Sequence, residues 1–151
     1  MLAVGVLAMV FTAMAFVQST TARQTLALYG DARTLHRAHL VKDRLHRYLC
    51  MAQIGSAAVK DSGRTIEFYN PFLSTTPGTP VSAIKFEDGY ACYYRDKTQS
   101  DPDHRTGLID DIEFEILGAG NAIRVTIKTL ERYTWKLDRP YTLVCQISAR
   151  N

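Results

Sequence analysis

The sequence predicts an α+β protein: a long N-terminal α-helix, apolar in its first half, packed on a C-terminal antiparallel β-sheet domain. Three observations predict it. The run "LAVGVLAMVFTAMAFVQSTTA" from Leu2 holds no ionisable side chain, and the first one in the chain is Arg23. The stretch that follows repeats apolar residues mostly at three- and four-residue steps, with no proline before Pro71. From Arg64 onward, short segments rich in branched and aromatic residues alternate in polarity between turn residues. The 151 residues, 46% hydrophobic and 22% charged, suffice for one core. The expected divisions are an apolar transmembrane or filament-core helix over 1–22, its amphipathic continuation over 23–56, and a sheet domain over 57–151.

Built as a helix, residues 1–22 reach roughly the 30 Å thickness of a bilayer's hydrocarbon core. Leu2 to Val17 is densely apolar, whereas Gln18, Ser19, Thr20 and Thr21 weaken the span. "AMA" at Ala13, Met14 and Ala15 has the small-x-small pattern of a cleaved secretory signal, but no Lys or Arg precedes the apolar stretch. The segment is therefore expected to be retained. Burial within the protein's own core would need surrounding layers that a domain of this size does not supply.

Beyond Arg23 the apolar positions are Leu26, Leu28, Tyr29, Leu35, Leu40, Val41, Leu45, Tyr48, Leu49, Ala52 and Ile54. One helix from about residue 2 to about residue 56, ending near Gly55 and Ser56, would be about 80 Å long. Gly30 is the expected weak point, since glycine costs about 1 kcal/mol against alanine in a helix; Ser19 to Thr21 is a second candidate for a bend. The stretch "ARTLHRAHLVKDRLHR" sets Arg33, His36, Arg37, His39, Lys42, Arg44, His46 and Arg47 against Asp43 alone. A solvated or inter-subunit polar face is the preferred reading. Binding of nucleic acid or anionic headgroups is a second. Metal binding by His36, His39 and His46 is a third, although their spacing does not repeat the i, i+4 pairing of helical zinc motifs.

The expected strands are "TIEFYN", "VSAIKF", "GYACYYR", "LIDDIEFEIL", "NAIRVTIKTL" and "YTLVCQIS". "PFLSTTPGTP" and "RDKTQSDPDHRTG" read as irregular loops. One hairpin can be registered. With "GAGN" at Gly118 to Asn121 as its loop, Leu117 faces Ala122, Ile116 faces Ile123, Phe114 faces Val125 and Ile112 faces Ile127. The opposite face then pairs Glu115 with Arg124 and Asp111 with Lys128, favourable cross-strand charges that a one-residue slip would lose. In the last strand, alternation puts Leu143, Cys145 and Ile147 on the buried side. Cys50, Cys92 and Cys145 lack zinc-site spacing. A retained anchor suggests a domain outside the cytoplasm, where two cysteines would pair; Cys92 with Cys145 is the choice, leaving Cys50 unpaired or bonded between chains. In a cytoplasmic domain all three would be reduced thiols.

An apolar half-helix running into "DRLHRYLCMAQIG", then a sheet domain ending in "TGLIDDIEFEILGAGNAIRVTIKTLE" and a final strand, resembles the type IV pilin-like proteins. More narrowly, it resembles minor pilins and type II secretion pseudopilins. The resemblance covers nearly the whole chain as architecture. It implies a filament subunit that waits in the inner membrane, exposes its sheet domain to the periplasm or the cell exterior, and assembles with other pilin-like subunits. It implies Met1 as the processed, N-methylated terminus, and Leu2, Val4, Gly5, Val6, Leu7, Val10, Phe11 and Phe16 as the assembly surface. The family carries a glutamate where this chain has Gly5, and uses it to neutralise a neighbour's α-amino group in an apolar core. Members lacking that acid are implied to sit at or near a filament tip.

No catalytic residue is expected: the chain has no G-x-S-x-G, P-loop, H-E-x-x-H or G-x-G-x-x-G. No cofactor is expected either. Asp96, Asp101, Asp103, Asp110 and Asp111 could offer oxygens to Ca²⁺, as some relatives of the resembled family do, but they lack EF-hand spacing and read better as turn formers. Tyr90, Tyr93 and Tyr94, with Phe86 and Trp135, read as sheet packing, because a base-stacking platform would need basic neighbours on one exposed face. The net charge of +3 is too small to argue for a nucleic-acid partner. The rival functions are a single-pass anchored binding module that does not polymerise and, more remotely, a hydrolase using His104 with the acids of its loop.

Overall fold

The computed structural model describes the backbone of residues 2–53, 55–72, 81–118, 122–131 and 139–148; side chains at 2–4, 6, 130, 131, 139 and 140 also fall outside the described set. The chain divides into two compact units, Met1–Arg33 and Thr34–Asn151.

The helix α1 spans Leu2–Leu49 without interruption. Gly30 and Ser19 to Thr21 lie inside it, so neither site breaks the helical run. The hydroxyls of its first half are satisfied internally. Thr12, Thr20, Thr21 and Thr25 each donate to the carbonyl four residues back, and Ser19 to the one three back, at 2.8–2.9 Å. The expected end near Gly55 is corrected to Leu49. Met51 N–H bonds back to Tyr48 O and Ala52 N–H to Leu49 O, tightening the last turn, and Gln53 N–H then leaves the helix to bond Tyr69 O at 3.0 Å.

In the second unit, residues 34–49 of α1 bury a stripe of Thr34, Ala38, Val41, Leu45 and Leu49, steps of three and four residues that keep one helix face on the core. The sheet domain follows: β1 (Ala58–Lys60), a 3₁₀ turn (Asp61–Gly63), β2 (Thr65–Phe68), β3 (Ser82–Glu87), β4 (Tyr90–Tyr94), β5 (His104–Thr106), β6 (Asp111–Leu117), β7 (Ala122–Glu131) and β8 (Arg139–Ser148). All six expected strands are present, and the arrangement is α+β.

The single expected sheet is two antiparallel meanders, β1-β2-β3-β4-β5 and β6-β7-β8. The divide falls at "GLID", where Gly107 takes φ +87° and Ile109 N–H turns back to Gly89 O at 2.8 Å, so β6 does not continue the first ladder. One core joins α1 to both sheets: Val41, Leu45 and Leu49 with Ile66, Phe68 and Ile84 of the first sheet and Ile112, Val125 and Ile147 of the second. The β6-β7 register is the one expected, from Asp111 opposite Lys128 to Leu117 opposite Ala122. Both cross-strand pairs form, Arg124 to Glu115 at 2.7 Å and Lys128 to Asp111 at 3.3 Å. Gly118 supplies a positive φ of +54° at the loop's start. The rest of that loop, residues 73–80 of "PFLSTTPGTP", Ile54 and Trp135 lie outside the described residues.

Candidate functional site

The feature that packing leaves unexplained is the first half of α1. Leu7, Met9, Val10, Phe11, Met14, Phe16 and Val17 are each more than half exposed. At about 100° per residue these positions cover well over half of the helix circumference, and the exposed Ala8 and Ala15 fall in the remaining sector, so the apolar surface is not one narrow stripe. Gly5 is exposed, and a side chain there would meet nothing within 4 Å. Leu26, Leu28 and Tyr29 continue the exposed set. Leu2, Val4 and Val6 are backbone-helical with side chains outside the described residues, and Met1 lies wholly outside them. Among the described residues no helix is long and apolar enough to cross a membrane. The side chains at 1–4 and 6, which open the apolar run of the sequence, are not among them.

The hydroxyl bonding bears on the same surface. A threonine in an apolar environment costs free energy unless its O–H has a partner. Here five hydroxyls between Thr12 and Thr25 are paired with their own helix and need no water. Ser19, Thr20 and Thr21, expected to weaken the span, therefore carry no unpaired hydroxyl into an apolar surrounding.

The expected Cys92–Cys145 bond is corrected. The three thiols are free. Cys92 lies opposite Lys85 and Arg105 on the face of the first sheet that carries Ala83 and Tyr94, whereas its neighbour Tyr93 faces the core. Cys145 lies opposite Val125 on the core side of the second sheet. The two-residue alternation of a strand thus points the two thiols to different layers. Burial pushes both thiols above their ordinary pKa.

Cys50 stands four residues after His46, with Sγ 3.3 Å from Nδ1, beside a cavity of about 1120 Å³ that Met51, Tyr69, Phe72 and Gln146 also line. Sequence reading missed this thiol and imidazole pair, although the i, i+4 spacing was visible. The thiol donates to the His46 carbonyl at 2.7 Å, an oxygen that also accepts the Cys50 N–H at 2.9 Å.

Three of the five aspartates considered for Ca²⁺ bond to neighbouring groups of the chain. Asp96 accepts from Thr98 N–H and its hydroxyl, which hold its carboxyl below the usual range; Asp103 accepts from Arg95 N–H; Asp111 bonds Arg64 and Lys128. Among the described residues no three potential ligands gather for a metal ion. Tyr94 and Glu87 are hydrogen-bonded on the outer sheet face, and burial followed by that bond raises the Tyr94 pKa strongly. No family model, no curated protein and no solved structure matches the chain.

Proposed function

We propose that the chain is a structural subunit of a type IV pilus-like filament or type II secretion pseudopilus, assembling through the first half of α1. The observation that carries this reading is the exposure of Leu7, Val10, Phe11 and Phe16, with Met9, Met14 and Val17 widening the apolar surface and Ala8 and Ala15 filling the sector between Phe11 and Phe16. A helix apolar on all sides loses free energy in water, at about 25 cal/mol per Å² of apolar surface. Lipid can cover it before assembly. Side-by-side packing of sister helices can cover it afterwards, forming the hydrophobic centre of a fibre. The internally bonded hydroxyls support both environments, because neither supplies water. On this reading the inner membrane holds the free subunit and the sheet domain faces the periplasm or the cell exterior. Gly5 offers no carboxylate to a neighbour's amine, which suits a minor or tip subunit.

Electron microscopy of the purified full chain, after detergent removal in the presence of its co-expressed partner subunits, tests the proposal. Fibres that disappear in the Phe11→Asp/Phe16→Asp variant support it. Discrete single-pass particles in lipid that never polymerise would instead support an anchored binding module.

A further inference from the structure

A second feature lies in the sheet domain, independent of whether the chain polymerises. The last turns of α1 and the adjoining ends of β4 and β5 frame a groove of about 530 Å³ whose lining includes Arg44, Arg47, Tyr48, Tyr93, Arg95 and His104, with Met51, Asn70 and Phe72 closing its other side. Tyr48 stacks on Tyr93 with ring centroids 4.0 Å apart and planes 1° from parallel, and the His104 ring lies 6.3 Å from Tyr48, nearly parallel to it. The stack makes a stiff wall. Around it stand three guanidiniums, all exposed.

Several cations of the domain meet carboxylates: Lys60 and Lys97 meet Glu67, Arg64 and Lys128 meet Asp111, and Arg124 meets Glu115, while Lys85 lies over the Tyr94 ring. Among the described residues Arg44, Arg47 and Arg95 form no such pair; Arg44 reaches only the Arg105 carbonyl, at 3.4 Å. Two carboxylates lie close by: Asp103, one of whose oxygens is taken by Arg95 N–H at 2.7 Å, and Asp43, one turn before Arg47, which meets Lys42 at 3.7 Å. Three guanidiniums against these two carboxylates, one of which Lys42 already shares, leave the groove with an excess of positive charge. Like charges gathered on one concave surface repel, and an oxyanion between them relieves that repulsion.

We propose that this groove binds a phosphate monoester or free phosphate. Guanidinium forks match phosphate and carboxylate oxygens in pairs. Three forks and an imidazole outnumber the two oxygens of one carboxylate, whereas a phosphate dianion presents three or four. The volume falls within the range of small-ligand sites and leaves room for a short organic group beside the tyrosine wall.

The test is isothermal titration of the full chain in neutral detergent at low ionic strength, with inorganic phosphate, glycerol phosphate and a glycerophosphodiester as separate probes. Saturable binding of the first two is expected, with the monoanionic diester weaker. Arg47→Gln and Arg95→Gln are each expected to weaken binding by about five- to ten-fold, as loss of a charge-assisted hydrogen bond in a partly solvated site requires. Both side chains are exposed, so neither substitution opens the core. Arg124→Gln, on the second sheet, is expected to leave the affinity unchanged. Absence of saturable phosphate binding overturns the proposal. So does an equal loss in Arg124→Gln, which would mean attraction to net charge, or binding of a polyglutamate peptide with none of phosphate.

Discussion

Gly107 is the residue on which the seat of α1 depends most directly. Its φ is +87°, and a Cβ there would come within 2.5 Å of Val41 Cγ2, a methyl of a fully buried side chain. Gly107→Ala is expected to cost roughly 2–4 kcal/mol, combining left-handed strain with an overpacked contact. Gly118 also has a positive φ, +54°, but a Cβ there would meet nothing within 4 Å, so Gly118→Ala should cost only about 1–2 kcal/mol. Thermal melts of the two variants in the same detergent check the difference; equal losses would mean that Val41 yields. Glu67 supplies a pH-dependent term. Burial alone would raise its pKa, but hydrogen bonds from Lys60 at 2.9 Å and Lys97 at 3.0 Å outweigh it and hold the carboxyl below its ordinary value. A depressed folded-state pKa contributes stability above the unfolded value, about 4.3, and that stability is lost as pH falls through the folded value. The wild type should therefore melt higher than Glu67→Gln at pH 7, with the gap closing in increasingly acidic buffer. A gap that stays constant down to pH 3 would contradict the two-lysine clamp.

At the scale of elements, the β6-β7 hairpin carries its register in two independent patterns, apolar pairs on one face and opposite charges on the other. The charge-swapped double variant Glu115→Arg/Arg124→Glu should recover most of the stability lost by either single change, with a coupling of about 0.2–1 kcal/mol. Additive losses would mean that the 2.7 Å contact contributes nothing. On α1, Leu45→Ala should cost about 2–5 kcal/mol by emptying a buried site, whereas Leu40→Ala, exposed on the same helix, should stay within about 0.5 kcal/mol. Both residues belong to the same apolar set in the sequence, and only the position of the sheets separates them. Periodicity reports that a helix has an apolar face without saying which stretch of it finds a partner. The long strands were legible because alternation over five or more residues is hard to produce otherwise. β1 and β5, three residues each, are too short to show it, and "HRT" within β5 is polar throughout. The end of α1 was misjudged because Ala52 keeps the helical period while its backbone has already left the helix to reach β2's neighbourhood.

At the scale of the whole molecule, the features hardest to read were those set by which layer a strand faces. Cys92 and Cys145 both sit mid-strand in apolar segments, and nothing local reveals that they belong to different sheets and different faces. The phosphate groove is another case: Arg44, Arg47, Arg95 and His104 come from two remote segments that only the β4-β5 pairing and the Tyr48–Tyr93 stack bring together. The opening segment was legible for the opposite reason, since a run without charge needs no tertiary partner to be noticed. Its consequence belongs to the molecule as a whole: on the proposed function, lipid or sister helices cover the exposed apolar surface around Phe11 and Phe16. Sedimentation velocity of the intact chain, with detergent and after its removal, tests that claim most directly. The account predicts a detergent-bound monomer that passes into large assemblies when detergent is withdrawn, whereas a monodisperse monomer persisting in plain buffer would contradict it.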